Sequence, residues 1–253
     1  MNLYEAIASR QSIRKYEEKE IPEKIWGQIL AFGDKATRLN DRIGTELVLL
    51  DNTQGKAGVK GLFKVEAPYY LVFYSEPMEG YARNAGYMLE QVVLYMATKG
   101  IGSCYLGGSK TRESTRNGKI QVMILAIGYA KGRLYRESPM AKRLPLSELC
   151  VFKEEVGEQL KAVLRAARLA PSALNAQLWR FIVYSDRIYV FTKRGSMLMR
   201  GDSEMRDFSI GVMLSHIFLA AEELWMELET TTDEQFAGKA YKNGDYVATL
   251  WLR

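Results

Sequence analysis

The 253-residue sequence is poor in the side chains that do metal and nucleophilic chemistry. It has one histidine, His216, and two cysteines, Cys104 and Cys150. That supply is too small for most transition-metal sites and for a disulfide framework. It also argues against Ser-His-Asp or Cys-His catalysis. His216 lies within GVMLSHIFLAAEEL, a helical pattern, and reads as a helix-face residue without chemistry. No apolar run approaches the roughly 18–20 residues that span a bilayer. The N-terminal MNLYEAIASRQSIRKY carries Glu5 and lacks an apolar core of the secretory kind. No G-x-G-x-x-G follows a strand to grip a dinucleotide. These absences predict a cytoplasmic globular protein without a membrane partner, whose reactive group is borrowed from a cofactor.

Charge is not strongly one-sided either. The formal net charge is +5, and basic residues are interspersed with acidic ones, as in SIRKYEEKEIPEK. No zinc-finger, RNP or arginine-rich pattern is present, so no nucleic-acid partner is expected.

What is present is an ordinary globular composition, 47% hydrophobic and 26% charged. Helices are predicted over 2–9, from Pro22 to Phe32, over 86–100, 154–169 and 209–226. Strands are predicted at 45–52, 67–75, 120–129, 180–185, 187–193 and 245–253. The polar segment AKGRLYRESPMAKRLPLSELC, 130–150, reads as a linker. The order of elements before it recurs after it. At an offset of 135, KATRLNDRIGTELVLL lies on APSALNAQLWRFIVYS, matching Leu39 to Leu174, Asn40 to Asn175 and Val48 to Val183. At an offset of 125, GYMLEQVVLYMA lies on GVMLSHIFLAAE, matching Gly86, Met88, Leu89 and Leu94 to identical residues. A divergent internal duplication accounts for both matches in one order, although elements of similar composition also align by chance.

Four segments hold the candidate chemistry. In RQSIR, Arg10, Ser12 and Arg14 alternate, so an extended backbone turns them to one side, where two guanidinium forks and a hydroxyl suit a phosphate. The same pentapeptide also reads as a basic surface loop. In APSALNAQLWRF, Pro171 ends a helix, and Ser172, Asn175 and Gln177 offer donors and acceptors for a heterocycle with mixed edges. Such residues are equally at home in caps and turns. GIGSCYLGG, 100–108, places four glycines after a long helix. It reads as a loop that lets backbone approach a flat ligand, or simply as a turn. Lys142 and Arg143 add local positive charge ahead of Pro145, or form a solvated pair.

Taken together and in this order, the segments resemble the FMN-dependent nitroreductase family. RQSIR is similar to its R-x-S-x-R phosphate segment. APSALNAQLWRF is similar to A-P-S-x-x-N-x-Q-P-W-x-F, with Leu178 for the usual Pro. GIGSCYLGG is similar to G-L-G-S-x-W-x-G, with Tyr105 for the common Trp, and KRLPLSEL is similar to the terminal basic segment. In the family the A-P-S segment follows R-x-S-x-R by some 30 residues; here that place holds KATRLNDRIG, and the A-P-S segment stands in the second half. That half lacks R-x-S-x-R and carries WMEL for the Gly-rich segment.

The resemblance implies an α+β fold of two similar halves, 1–150 and a degenerate 151–253, each with a mostly antiparallel sheet flanked by helices. It implies a monomer that forms a pseudo-dimer within one chain and keeps one FMN site between its halves. FMN contacts are implied for Arg10, Gln11, Ser12 and Arg14, for Ile101, Gly102, Ser103, Leu106 and Gly107, for Arg143, and for Pro171, Ser172, Ala173, Asn175 and Gln177. The implied activity is NAD(P)H-dependent reduction of a small-molecule electron acceptor, a nitroaromatic or quinone, by a ping-pong route with no catalytic side chain and no metal. The alternatives are a specialised flavin reaction, such as flavin cleavage or dehalogenation, and a flavin-binding or storage protein without catalysis.

Overall fold

The computed structural model describes residues 1–61, 65–193, 203–233, 235–236, 240–241 and 244–253. The backbone divides into two units, Met1–Ala141 and Lys142–Arg253. The division falls inside the polar 130–150 segment, ahead of the 150/151 boundary read from sequence, and places Arg143 in the second unit. The reason is local: helix α4 (Leu146–Leu149) and strand β6 (Cys150–Phe152) pack on and pair with second-unit elements.

In the first unit, α1 (Leu3–Ser9) opens with a capping box, in which Asn2 Oδ1 accepts from Glu5 N–H and Glu5 Oε2 accepts from Asn2 N–H, both at 2.8 Å. Pro22 precedes α2 (Glu23–Lys35). The strands are β1 (Thr45–Asp51), β2 (Tyr69–Ser75), β3 (Gly102–Tyr105), β4 (Thr115–Arg116) and β5 (Lys119–Gly128), in the antiparallel order β1-β2-β5-β3 with β4 beside β5. Strand β2, YYLVFYS, is buried at every position. It is a central strand with both faces covered, which is why it shows no polar alternation. On one face Tyr70, Val72 and Tyr74 pack with Leu106, Ile124 and Tyr16. Helix α3 (Tyr81–Thr98) is buried nearly all round and begins five residues before Gly86, because Ala82 and Ala85 continue its buried surface from the left-handed Gly80.

The second unit carries α5 (Glu158–Leu169), β7 (Trp179–Val183), β8 (Arg187–Lys193), α6 (Ser203–Glu223), β9 (Leu228–Thr231), β10 (Ala240–Tyr241) and β11 (Gly244–Leu252). Strands β7, β8, β11 and β9 follow one another across an antiparallel sheet, with β10 also on β11 and β6 added in parallel to β7. That core order repeats β1-β2-β5-β3 strand for strand. The 125-residue offset holds in fine detail. Helix α3 ends with Gly100 at φ +78° and Ile101 N–H donating to Met96 O at 3.0 Å; α6 ends with Trp225 at φ +56° and Met226 N–H donating to Ala221 O at 2.8 Å. Both are Schellman caps. The sheet irregularities on β5 and β11 fall at Val122 and Val247, again 125 apart. The offset falls from 135 at β1 to 117 at β2, where Phe73 pairs Met123 as Val190 pairs Ala248, because the β1–β2 connection, residues 52–68, has a counterpart of only 184–186; it is back at 125 by the helices. The chain is therefore an α+β protein of two like-folded halves, each built on a largely antiparallel sheet with helices.

Candidate functional site

The expected site residues gather in two clusters, one in each unit. The first is built on the extended segment after α1. Ser12 bridges Ser103 in parallel fashion, Ile13 N–H donates to Ser103 O at 2.9 Å, and Tyr16 bridges Ala130. This corrects one expectation. GIGSCYLGG is not a loop at its centre: β3 pairs with β5 along one edge and with segment 12–13 along the other. Glycine content argued for a turn, but the strand is imposed by two partners distant in sequence. Gly102 is needed there because a Cβ would lie 2.7 Å from Ile13 Cγ1.

Arg10 is only 4% exposed, and its Nε–H has no hydrogen-bond partner. Its Nη2 reaches Ser12 Oγ at 3.4 Å. Arg10, Gln11, Ile101, Gly102 and Ser103 line one cavity of about 10 Å³, together with Val93, Ala97 and Leu134. That is room for about one water. The stretch 133–136 runs over it: Arg10 bridges Tyr135, Arg133 O accepts from Gln11 Nε2 at 2.7 Å, and Arg136 N–H donates to Ser9 O at 2.8 Å. Arg14 is exposed. Burial pushes the Cys104 thiol up, while Arg14, Arg10 and a hydrogen bond from Ser12 pull it down. Leu106 and Gly107 lie apart from the cavity: Leu106 N–H donates to Ile124 O at 2.9 Å, its side chain joins the sheet core, and Gly107 continues the turn.

Sequence reasoning missed two residues here. Glu90, fully buried on α3, accepts a 2.6 Å hydrogen bond from the Tyr105 hydroxyl. Burial raises that hydroxyl well above its usual range; Glu90 reinforces the rise and Arg10 opposes it. The available signal was a lone acid inside the apolar run GYMLEQVVLYMA.

The second cluster is the turn after α5. Leu174, Asn175 and Gln177 all have left-handed backbones, with φ of +49°, +57° and +47°. Asn tolerates this region; for Leu and Gln it costs about 1–2 kcal/mol each. A hydrogen-bond network holds the turn. Gln177 N–H donates to Ser172 Oγ at 3.0 Å, Gln177 Nε2 to Asn175 O at 3.1 Å, and Leu144 N–H to Gln177 Oε1 at 2.8 Å. Ala173 N–H donates to Ser209 Oγ at 3.3 Å. Arg143 donates to Ala170 O, Leu169 O, Lys142 O and Asn175 Oδ1, and Asn175 Nδ2 to Lys142 O. Pro171 is half-buried, and Leu174 is 71% exposed at the tip.

Each unit also carries the other's counterpart in altered form. At the 135 offset the first unit places Thr37, Leu39 and Asn40, whose backbones are bound by Gln91 and Asn84 of α3. At the 125 offset the second unit places Glu227 and Leu228 where the first has Gly102 and Ser103. Among the described residues, no group of His, Cys, Asp or Glu could hold a metal ion, and no helix is long and apolar enough to cross a membrane.

Taken by itself the fold defines a class, an α+β protein of two halves in which a helix-flanked antiparallel sheet occurs twice, with an arginine–serine segment against β3 in the first half. The comparisons give that class its family. The family model described as "Putative TM nitroreductase" matches residues 2–221, so the chain belongs to this nitroreductase family of oxidoreductases. No curated protein matches the chain. Among solved structures, a putative nitroreductase of Thermotoga maritima MSB8 aligns over 100% of this chain and 93% of its own at 20% identity and TM-score 0.66, which shows a shared fold. A nitroreductase family protein of Clostridium difficile 630 aligns over 58% of this chain and 96% of its own at 20% identity and TM-score 0.48. An FMN-dependent nitroreductase of Clostridium difficile R20291 aligns over 59% and 98% at 19% identity and TM-score 0.44.

Proposed function

We propose that the protein is an FMN-dependent NAD(P)H oxidoreductase for electron-poor acceptors such as nitroaromatics and quinones, and that a single FMN takes ligands from both halves. The observation that carries this reading is the buried Arg10 guanidinium, whose Nε–H has no partner beside Ser12 and Ser103. A buried donor left open is costly, and a ligand oxygen would satisfy it. The donor set fits an anionic, oxygen-rich group, so FMN passes this test. Bound FMN would supply the hydride chemistry between NAD(P)H and the acceptor, in a ping-pong scheme.

The chain's own residues bind and orient. Arg10, Ser12 and Arg14 hold the phosphate end by charge-assisted bonds. The 171–177 turn offers Pro171, the Ser172 hydroxyl and the Asn175 amide to the ring. One site per chain follows from complementary losses: the first half lacks the A-P-S residues, and in the second Glu227 puts a carboxylate where an anion would need a neutral strand. Fusion of two halves within one chain makes a monomer the expected form.

The test is the visible spectrum of protein purified without added flavin and again after FMN addition and desalting. Bands near roughly 370 and 450 nm at one flavin per chain, with NAD(P)H-dependent quinone reduction, are expected. Arg10→Ala should lose flavin during gel filtration. Two flavins per chain would overturn the single site, binding without turnover would favour storage, and no flavin at all would remove the cofactor from the reading.

A further inference from the structure

We infer that Arg143 is a positioning residue that locks the 170–177 turn into its binding shape, and is not a ligand of the flavin phosphate. The inference rests on the FMN reading above. A guanidinium has five N–H donors in a rigid fork. Arg143 directs four hydrogen bonds into its own unit. Nε–H donates to Ala170 O at 3.0 Å, Nη1 to Lys142 O at 3.1 Å and Asn175 Oδ1 at 2.8 Å, and Nη2 to Leu169 O at 3.3 Å.

Each acceptor has a reason to be held. Leu169 and Ala170 carry carbonyls from the end of α5, where helix geometry leaves acceptors open and a cation is favoured. Asn175 stands at φ +57° with an exposed side chain, and the Arg143 contact fixes its amide while Asn175 Nδ2 returns a 3.0 Å bond to Lys142 O. Arg168 ties the opposite side, with Nε–H to Leu144 O at 2.7 Å and Nη2 to Arg143 O at 3.3 Å. The held 142–144 segment then presents Leu144 N–H to Gln177 Oε1 at 2.8 Å. Two arginines thus lash a short segment to a turn that holds three left-handed residues. A phosphate at Arg143 would have to displace these bonds, whereas Arg10 has an open donor already.

The two roles separate when flavins with and without phosphate are compared. Apoprotein is titrated with FMN and with riboflavin, in the wild type, Arg143→Gln, Arg143→Lys and Arg14→Ala. A clamp predicts that Arg143→Gln weakens both flavins by the same factor, about tenfold for a lost charge-assisted network, with their ratio unchanged. Arg143→Lys should rescue little, because one ammonium cannot span three carbonyls and an amide. Arg14→Ala should weaken FMN alone. Hydrogen exchange of residues 172–177 in the flavin-free protein should quicken in Arg143→Gln and stay as in the wild type in Arg14→Ala. Loss of FMN affinity alone in Arg143→Gln would overturn the clamp, as would unchanged affinity for both. If the wild type binds neither flavin, the FMN reading fails, and unchanged exchange at 172–177 then overturns the clamp separately.

Discussion

Trp225 occupies the one position of its helix cap where a side chain is a burden. It is the C′ residue of α6: its N–H donates to Glu222 O at 3.1 Å, Met226 N–H donates to Ala221 O at 2.8 Å, and its φ is +56°. Left-handed backbone costs an L-residue about 1–2 kcal/mol, which is why glycine dominates this position. Trp225 recovers nothing by packing, since it is 96% exposed. Trp225→Gly therefore relieves that strain, offset by about 0.4–1 kcal/mol of added freedom in the unfolded chain. The net expectation is a stabilisation of roughly 0.5–1 kcal/mol, or about 0.3–0.5 M in urea midpoint with an unchanged slope. Circular dichroism should follow the transition, because the substitution removes a tryptophan, and the gain belongs to the second unit if two transitions are resolved. Gly100 is the reciprocal control. A Cβ there meets nothing within 4 Å, so Gly100→Ala isolates the backbone term and should cost about 1 kcal/mol. A fall in midpoint for Trp225→Gly would mean that the indole makes a stabilising contact, and the strain argument would be refuted.

Gly102→Ala places a methyl 2.7 Å from Ile13 Cγ1, so it should destabilise by about 1–3 kcal/mol and quicken amide exchange at Ile13; wild-type exchange there would show that the approach of segment 12–13 to β3 is not tight. Cys150 predicts a pH effect. A thiol normally ionises near 9, but burial holds that of Cys150 protonated up to about 12. Above pH 9 the unfolded chain loses a proton that the folded one keeps, so stability falls by about 1.4 kcal/mol per pH unit until roughly 12, and is unaffected below 9. Cys150→Ala should flatten the decline in urea-derived stability between pH 9 and 10.5 by that amount, and an unaltered slope would contradict the assignment.

Legibility in the sequence followed the range of the interactions. The longer strands and helices announced themselves through apolar runs, and the A-P-S turn through Pro171 and its polar followers. The short strands did not: β6, β9 and β10 owe their form to neighbouring strands rather than to composition. Strand β3 was hidden under its glycines for the same reason, since β5 and the Ser12 segment impose it. Among site residues, family likeness grouped Arg10, Gln11, Gly102 and Ser103 around one ligand, but the bridge between positions 12 and 103 that brings them together was not legible. The partners of Arg143 are mostly backbone carbonyls, which every residue has, so no pattern of side chains marks a clamp. Glu90 was visible as an anomaly, but its meaning required Tyr105 beside it.

The repeated cap and sheet order bear on how such a chain can diverge. When two identical subunits assemble, one gene edits both, and any substitution must be acceptable in each role at once. A chain that contains the fold twice is free of that rule. Trp225 can stand where Gly100 does, and Glu227 where Gly102 does, without either change reaching the half that still keeps glycine. The two copies answer to separate selection, and a feature surrendered by one is no evidence that the other can spare it.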